Sequence, residues 1–156
     1  MFEKFLRCRQ GNIKTYLLLL VPLILGLLIN SPIFGYYFPF LLSLLFLGFW
    51  FWVGIKFARL DLNKALSLTI GNSLNIISFV LFIWSFVILA EENRNLLIAG
   101  FSQIYAGPTL SISARIYYLT DPKVLTNEYA IISYILMSIV FTAGFLYEAK
   151  VNQENN

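Results

Sequence analysis

Few groups in this chain are able to do chemistry. Its 156 residues include 8 Asp and Glu, 11 Lys and Arg, one Cys and no His. A Ser-His-Asp or Cys-His nucleophile and the usual His-bearing zinc sets therefore cannot be assembled within it, and one Cys cannot close an intramolecular disulfide. The most closely spaced acids are Glu91 and Glu92, beside Arg94. Paired carboxylates can bind a cation or raise one another's proton affinity, and with Arg115 they form a candidate outer charged cluster. A helix C-terminus disfavours negative charge, so solvated charge is the plainer role for Glu91 and Glu92. Asp121 and Glu128 read as a helix cap and a first-turn acid; a hydrolase built on paired acids would need both in one cavity. No metal, cofactor or catalytic residue is expected.

Uncharged polar groups give a stronger signal. Ser67, Gly71, Asn75, Ser78 and Ser85 recur at helical spacing with Asn72 beside them, making a small and polar seam. Small residues let helix backbones approach, and an Asn in hydrocarbon needs a hydrogen-bond partner from another helix or from water. Ser133, Met137, Ser138, Thr142, Ala143 and Gly144 offer a surface that could oppose it. Ser102, Gln103, Thr109 and Ser113 form a second candidate, a polar path on a stretch whose apolar residues share another face. The consecutive aromatics Phe49, Trp50, Phe51 and Trp52 point around a helix rather than building one wall, so they select no ligand.

These groups must be positioned by membrane-length helices. Charge is 12% of the chain and 59% is hydrophobic, against roughly 25% charge in an ordinary soluble domain. No Asp, Glu, Lys or Arg occurs in the 41 residues of 15–55, the 26 of 65–90 or the 19 of 129–147. About 20 such residues cross about 30 Å of hydrocarbon. The expected fold is all-α, a polytopic integral membrane bundle of four or five helices. The spans fall at about 15–29, 38–57, 64–90 and 127–148, with a possible fifth at 95–114. Asn30, Ser31, Pro32 and Gly35 supply the turn that divides the first long run. Tyr36 and Tyr37 fit an aromatic belt, and Asp61 or Asn63 can cap the third helix. Residues 1–14 read as a basic amphipathic segment that is not removed as a signal peptide, with Cys8 a free juxtamembrane thiol, and 151–156 as a short polar tail.

The 95–114 stretch admits three placements: at the interface, entering and returning at Gly107 and Pro108, or crossing with its polar side inward. With four spans, 8 Lys and Arg lie inside against 3 outside; with five, 9 against 2. Both counts put the N-terminus in the cytoplasm, and five spans is the favoured reading. The composition suits a bacterial cytoplasmic membrane. Basic residues flank apolar runs instead of forming a basic domain, so nucleic acid is not an expected partner; membrane lipids and other membrane helices, from a second copy or another protein, are. Ionisable residues are missing from the middle of the strong spans, which lowers the case for ion-coupled transport. The leading expectation is a non-enzymatic accessory, regulatory or binding component packing through its third helix against partner helices. A small oligomeric transporter or channel lined by Asn and Ser, and a lipid-modifying enzyme using Glu91, Glu92 or Asp121, are the alternatives.

Overall fold

The computed structural model describes residues 13–30, 39–120 and 127–154. Residues 1–12, the Pro32 and Gly35 turn, Tyr36, Tyr37 and the Asp121 cap lie outside them. The described residues form helices and their connections, with no strand among them. Helix α1 runs Ile13–Ile29, tightened to a 3-10 turn at Leu18–Leu20. Helix α2 is Pro39–Ala58, and α3 is Lys64–Ile83 continued by a π turn at Trp84–Ile88. Helix α4, Leu96–Ala106, passes through a 3-10 turn at Gly107–Thr109 into α5, Leu110–Thr120. Helix α6, Glu128–Glu154, is the longest and outruns the expected end near Glu148.

Three stretches are long and apolar enough to cross a membrane: Pro39–Ala58, Lys64–Ile88 and Glu128–Asn152, while α1 is shorter. The helix-bundle expectation holds at this level. Apolar side chains cover the outside as well as an aromatic core, and small polar ones are drawn inward. Large apolar side chains such as Ile24, Leu45, Val80 and Leu146 face outward, while Asn75, Ser78, Ser102, Thr109 and Ser133 are buried. Water would drive the opposite arrangement, whereas hydrocarbon accepts apolar side chains and penalises unpaired polar ones.

The ends of the bundle are fixed by specific contacts. At one, Arg59 follows α2 and makes a two-pronged pair with Glu148 of α6, Nε to Oε1 at 2.8 Å and Nη2 to Oε2 at 3.1 Å. At the other, Asn127 precedes α6 and its Nδ2 donates to Phe86 O near the end of α3. Helices α2 and α6 therefore run in one direction and α3 in the other. The π turn leaves late α3 carbonyls to be satisfied from outside the helix, and Arg94 Nε takes Ser85 O at 2.8 Å. Asn63 caps α3 by accepting from Ala65 N. Asn95 caps α4 in the same way, accepting from Leu97 N and Ile98 N.

Candidate functional site

The α3 seam turns out to be filled by the chain itself. Ser67, Asn72, Asn75, Ser78 and Ser85 are buried, and Gly71 lies against the Phe141 ring of α6. Asn75, 2% exposed, donates from Nδ2 to Tyr134 O at 3.1 Å and to Ser138 Oγ at 2.8 Å. Ser67 Oγ donates to Phe57 O of α2. Of the side chains expected to meet partner helices, Ser67 thus meets α2 and Asn75 meets α6 of the same chain, while Asn72 donates to Leu68 O within α3. Ser138 meets Asn75 of the seam, whereas Ser133 donates to Tyr129 O of its own helix and the Met137 carbonyl accepts from Trp50 of α2. Phe141, which the small-residue pattern passes over, fills the space that Gly71 leaves open. Gly144 faces α2 instead, against the Phe51 carbonyl.

The aromatic run on α2 divides around the helix. Trp50 is fully buried, donates from Nε1 to Met137 O at 3.1 Å and packs on Phe141 with ring centroids 5.7 Å apart. Trp52 is exposed, with Lys56 Nζ 5.0 Å from its ring centroid. A rigid ring that also donates a hydrogen bond suits a buried interhelical position.

The candidate polar path separates rather than lining one route. Ser102 and Thr109 are buried and donate to carbonyls of their own helical segment, Ala99 O and Ala106 O. Ser113 is buried, while Gln103 is exposed. The segment is bent because Pro108 has no N–H to offer Ile104 O. Gly107 N–H supplies that bond, and the same carbonyl lies against Gly26 of α1, where any Cβ would collide with it. Its two ends return to the same end of the bundle. Arg94 holds α3 at Ser85, and the Arg115 guanidinium sits 4.0 Å from the Phe40 ring centroid at the start of α2. Leu97 and Leu119, near the extremities, are each 85% exposed, whereas Tyr105, Ala106 and Thr109 at the middle are fully buried.

The outer charged cluster does not close around a site. Glu91 and Glu92 are exposed on a single 3-10 turn, Glu91–Asn93. Arg94 bonds Ser85 O and lies 4.5 Å from the Phe86 ring centroid, and Arg115 is on the α2 side. Among the described residues no three of His, Cys, Asp and Glu are gathered as a metal set.

What does form a concavity is the Asn127 end itself. A cavity of about 370 Å³ opens between α1, α3, the α4–α5 segment and α6, with Leu27, Phe82, Gly100, Gln103, Ile104 and Tyr129 among its walls. Asn30 and Asn127 also border it. Of this set the sequence singles out only Gln103 as a site residue, because apart from its α4 neighbours Gly100 and Ile104 the walls come from other helices. At the Arg59 end a shallower depression of about 590 Å³ is bordered by Arg59, Asp61, Lys64 and Asn152. A wholly apolar groove of about 290 Å³ lies between α1 and α2, beside Leu25, Leu42 and Phe46. No protein-family model, curated protein or solved structure matches the chain.

Proposed function

We propose that the chain is a non-catalytic accessory or binding component of a cell membrane, crossing it four times through α1, α2, α3 and α6 with both termini in the cytoplasm. The observation that carries this reading is the apolar outer surface, with Asn and Ser drawn inward. The contacts at each end support this crossing number. Arg94 and Arg115 both anchor the α4–α5 segment at the Asn127 end, so the segment enters and returns without reaching Arg59, and α6 makes the fourth crossing. The Arg59 end is then the cytoplasmic one, in keeping with the four-span count of 8 Lys and Arg inside against 3 outside. A non-catalytic role fits Glu91 and Glu92 exposed on their turn and Glu148 paired with Arg59, and polar groups such as Asn75 and Ser67 that join the chain's own helices. Membrane lipids and the helices of a second copy or another membrane protein are the proposed partners.

Cysteine accessibility in intact cells tests the topology. In a Cys8→Ser background, Asn93→Cys is expected to react with an impermeant maleimide from outside, and Asn155→Cys only after permeabilisation. External labelling of Asn155→Cys would establish an odd number of crossings and remove the four-crossing arrangement.

A second reading, a small oligomeric channel, is favoured by one observation. Asn72 Oδ1, Asn75 Oδ1, Ser78 Oγ, Ser85 Oγ, Tyr105 OH and Ser113 Oγ are buried without a partner, as groups facing an intermittently hydrated interior would be. Solute flux in liposomes that survives unchanged in Asn72→Leu and Asn75→Leu excludes a path along this face.

A further inference from the structure

The cavity at the Asn127 end has a divided lining. Phe82, Ala106 and Ala130 are buried and close its base, while Leu27, Ile104, Leu110 and Tyr129 present accessible apolar wall. Its rim is polar and open, since Asn30, Gln103 and Asn127 are exposed. None of the residues around it carries a formal charge. The neighbouring cations are committed elsewhere: Arg94 to Ser85 O and the Phe86 ring, Arg115 to the Phe40 ring. The acids Glu91 and Glu92 are not part of the wall.

Two of the rim amides are oriented before any ligand arrives. A carbonyl oxygen only accepts, so Asn30 turns its Nδ2 to Gly26 O at 2.8 Å and Asn127 turns its Nδ2 to Phe86 O at 3.3 Å. Each Oδ1 is left as an acceptor, and the carboxamide of Gln103 adds both donor and acceptor character. A charged ligand would have to leave water here without a counter-charge, which is costly, while hydroxyl and amide groups pair with carboxamides at no such penalty. The volume, about 370 Å³, lies within the range of roughly 300–1,000 Å³ typical of small-molecule sites.

We infer that this cavity is a binding site for a neutral amphiphile, its apolar body seated against Leu27, Ile104, Leu110 and Tyr129 and an uncharged hydroxyl- or amide-bearing group hydrogen-bonded at the Asn30, Gln103 and Asn127 rim. Gly100 marks the free space. It borders the cavity, and a Cβ built on it meets nothing within 4 Å, so a larger side chain extends into the opening instead of displacing a neighbour.

The test is photolabelling of the full chain in phosphatidylcholine nanodiscs with a diazirine-tagged octyl β-glucoside, mapped by mass spectrometry. Saturable incorporation into cavity-wall peptides of α4 and the start of α6 is expected. Octyl β-glucoside should compete at least about tenfold better than octyl sulfate, a factor corresponding to one well-made interaction. Gly100→Leu should cut incorporation at least about fivefold with a melting temperature no lower than that of the unsubstituted chain, because its side chain occupies the volume. Gln103→Leu, a substitution at an exposed position, should erase the preference for glucoside over sulfate, which keeps the inference testable if Gly100→Leu does not fold. Competition by free glucose as well identifies a soluble neutral solute as the natural source, and competition only with the chain attached identifies a membrane amphiphile. Equal competition by octyl sulfate, undiminished incorporation in a folded Gly100→Leu, or incorporation confined to the groove between α1 and α2 would each overturn the assignment.

Discussion

The two ends of the bundle differ in how completely small and polar residues close them. Towards the Arg59 end, glycines bring backbones together: a Cβ on Gly54 would meet the Phe141 carbonyl, one on Gly144 the Phe51 carbonyl, and one on Gly71 the Phe141 ring. Polar side chains there bond between helices, as Arg59 does to Glu148 and Ser67 to Phe57 O. At the Asn127 end, Gly100 faces open space, a cavity separates the helices, and the hydroxyls of Ser85, Tyr105 and Ser113 are buried without partners. Since lipid is as apolar as leucine, helices in a bilayer gain little from burying more leucine and depend on close contact and hydrogen bonds. Close contacts hold both ends, since near the Asn127 end a Cβ on Gly26 would meet the Ile104 carbonyl and Tyr134 OH donates to Ser102 O, but there they surround a cavity that a ligand can enter.

The comparison breaks most readily at Gly54. Gly54→Val drives a branched side chain into the Phe141 carbonyl and the Phe145 amide across the helix contact, and overpacking of this kind costs about 1–3 kcal/mol or more. Detergent denaturation should show the largest loss of any substitution considered, and wild-type stability would mean that α2 and α6 are not in backbone contact. Asn75→Leu comes next. It removes two bonds to α6, and interhelical hydrogen bonds in membranes average about 0.6 kcal/mol with a maximum near 1.7. A loss of about 1 kcal/mol with unchanged oligomeric state is expected, because the bonds lie within one chain. A shift in self-association at constant stability would instead return the seam to a partner. Arg59→Glu should lower the melting temperature less, and the swap Arg59→Glu with Glu148→Arg should restore part of it, since the pair at 2.8 Å depends on opposite charge. No recovery in the double variant would assign Arg59 to another role at that end.

The legible and illegible parts of this architecture divide along the same line. Uncharged runs mark where α2, α3 and α6 run because burying charge in hydrocarbon is prohibitive, and that penalty leaves a local imprint on sequence. The α3 seam is legible for the same reason, since Asn72 and Asn75 at helical spacing must face inward. Its partner's identity is not, because a helix within the chain and one from outside present the same chemistry to Asn75. The α4–α5 segment is amphipathic in sequence, yet its return to one end depends on Arg94 reaching Ser85 O, on Arg115 meeting Phe40 and on Gly107 resting against Gly26. Asn30, Phe82 and Asn127 border one cavity from three helices, and only the three-dimensional packing relates them.

The smallest expected effect has the opposite sign and sharpens the comparison further. Gly100 lies inside α4, where glycine is disfavoured relative to alanine by about 0.8–1 kcal/mol through backbone freedom lost on folding. At Gly54, Gly71 and Gly144 that cost is offset by contacts only glycine permits. At Gly100 nothing lies within 4 Å of the added methyl, so Gly100→Ala should stabilise the chain by up to about 1 kcal/mol in the same denaturation assay. A destabilised variant would show that the Asn127 end closes more tightly than its cavity implies. A stabilised variant that still binds the glucoside probe would separate what the position contributes to folding from what it contributes to the site: alanine restores helix propensity with one methyl, while leucine is required to fill the space.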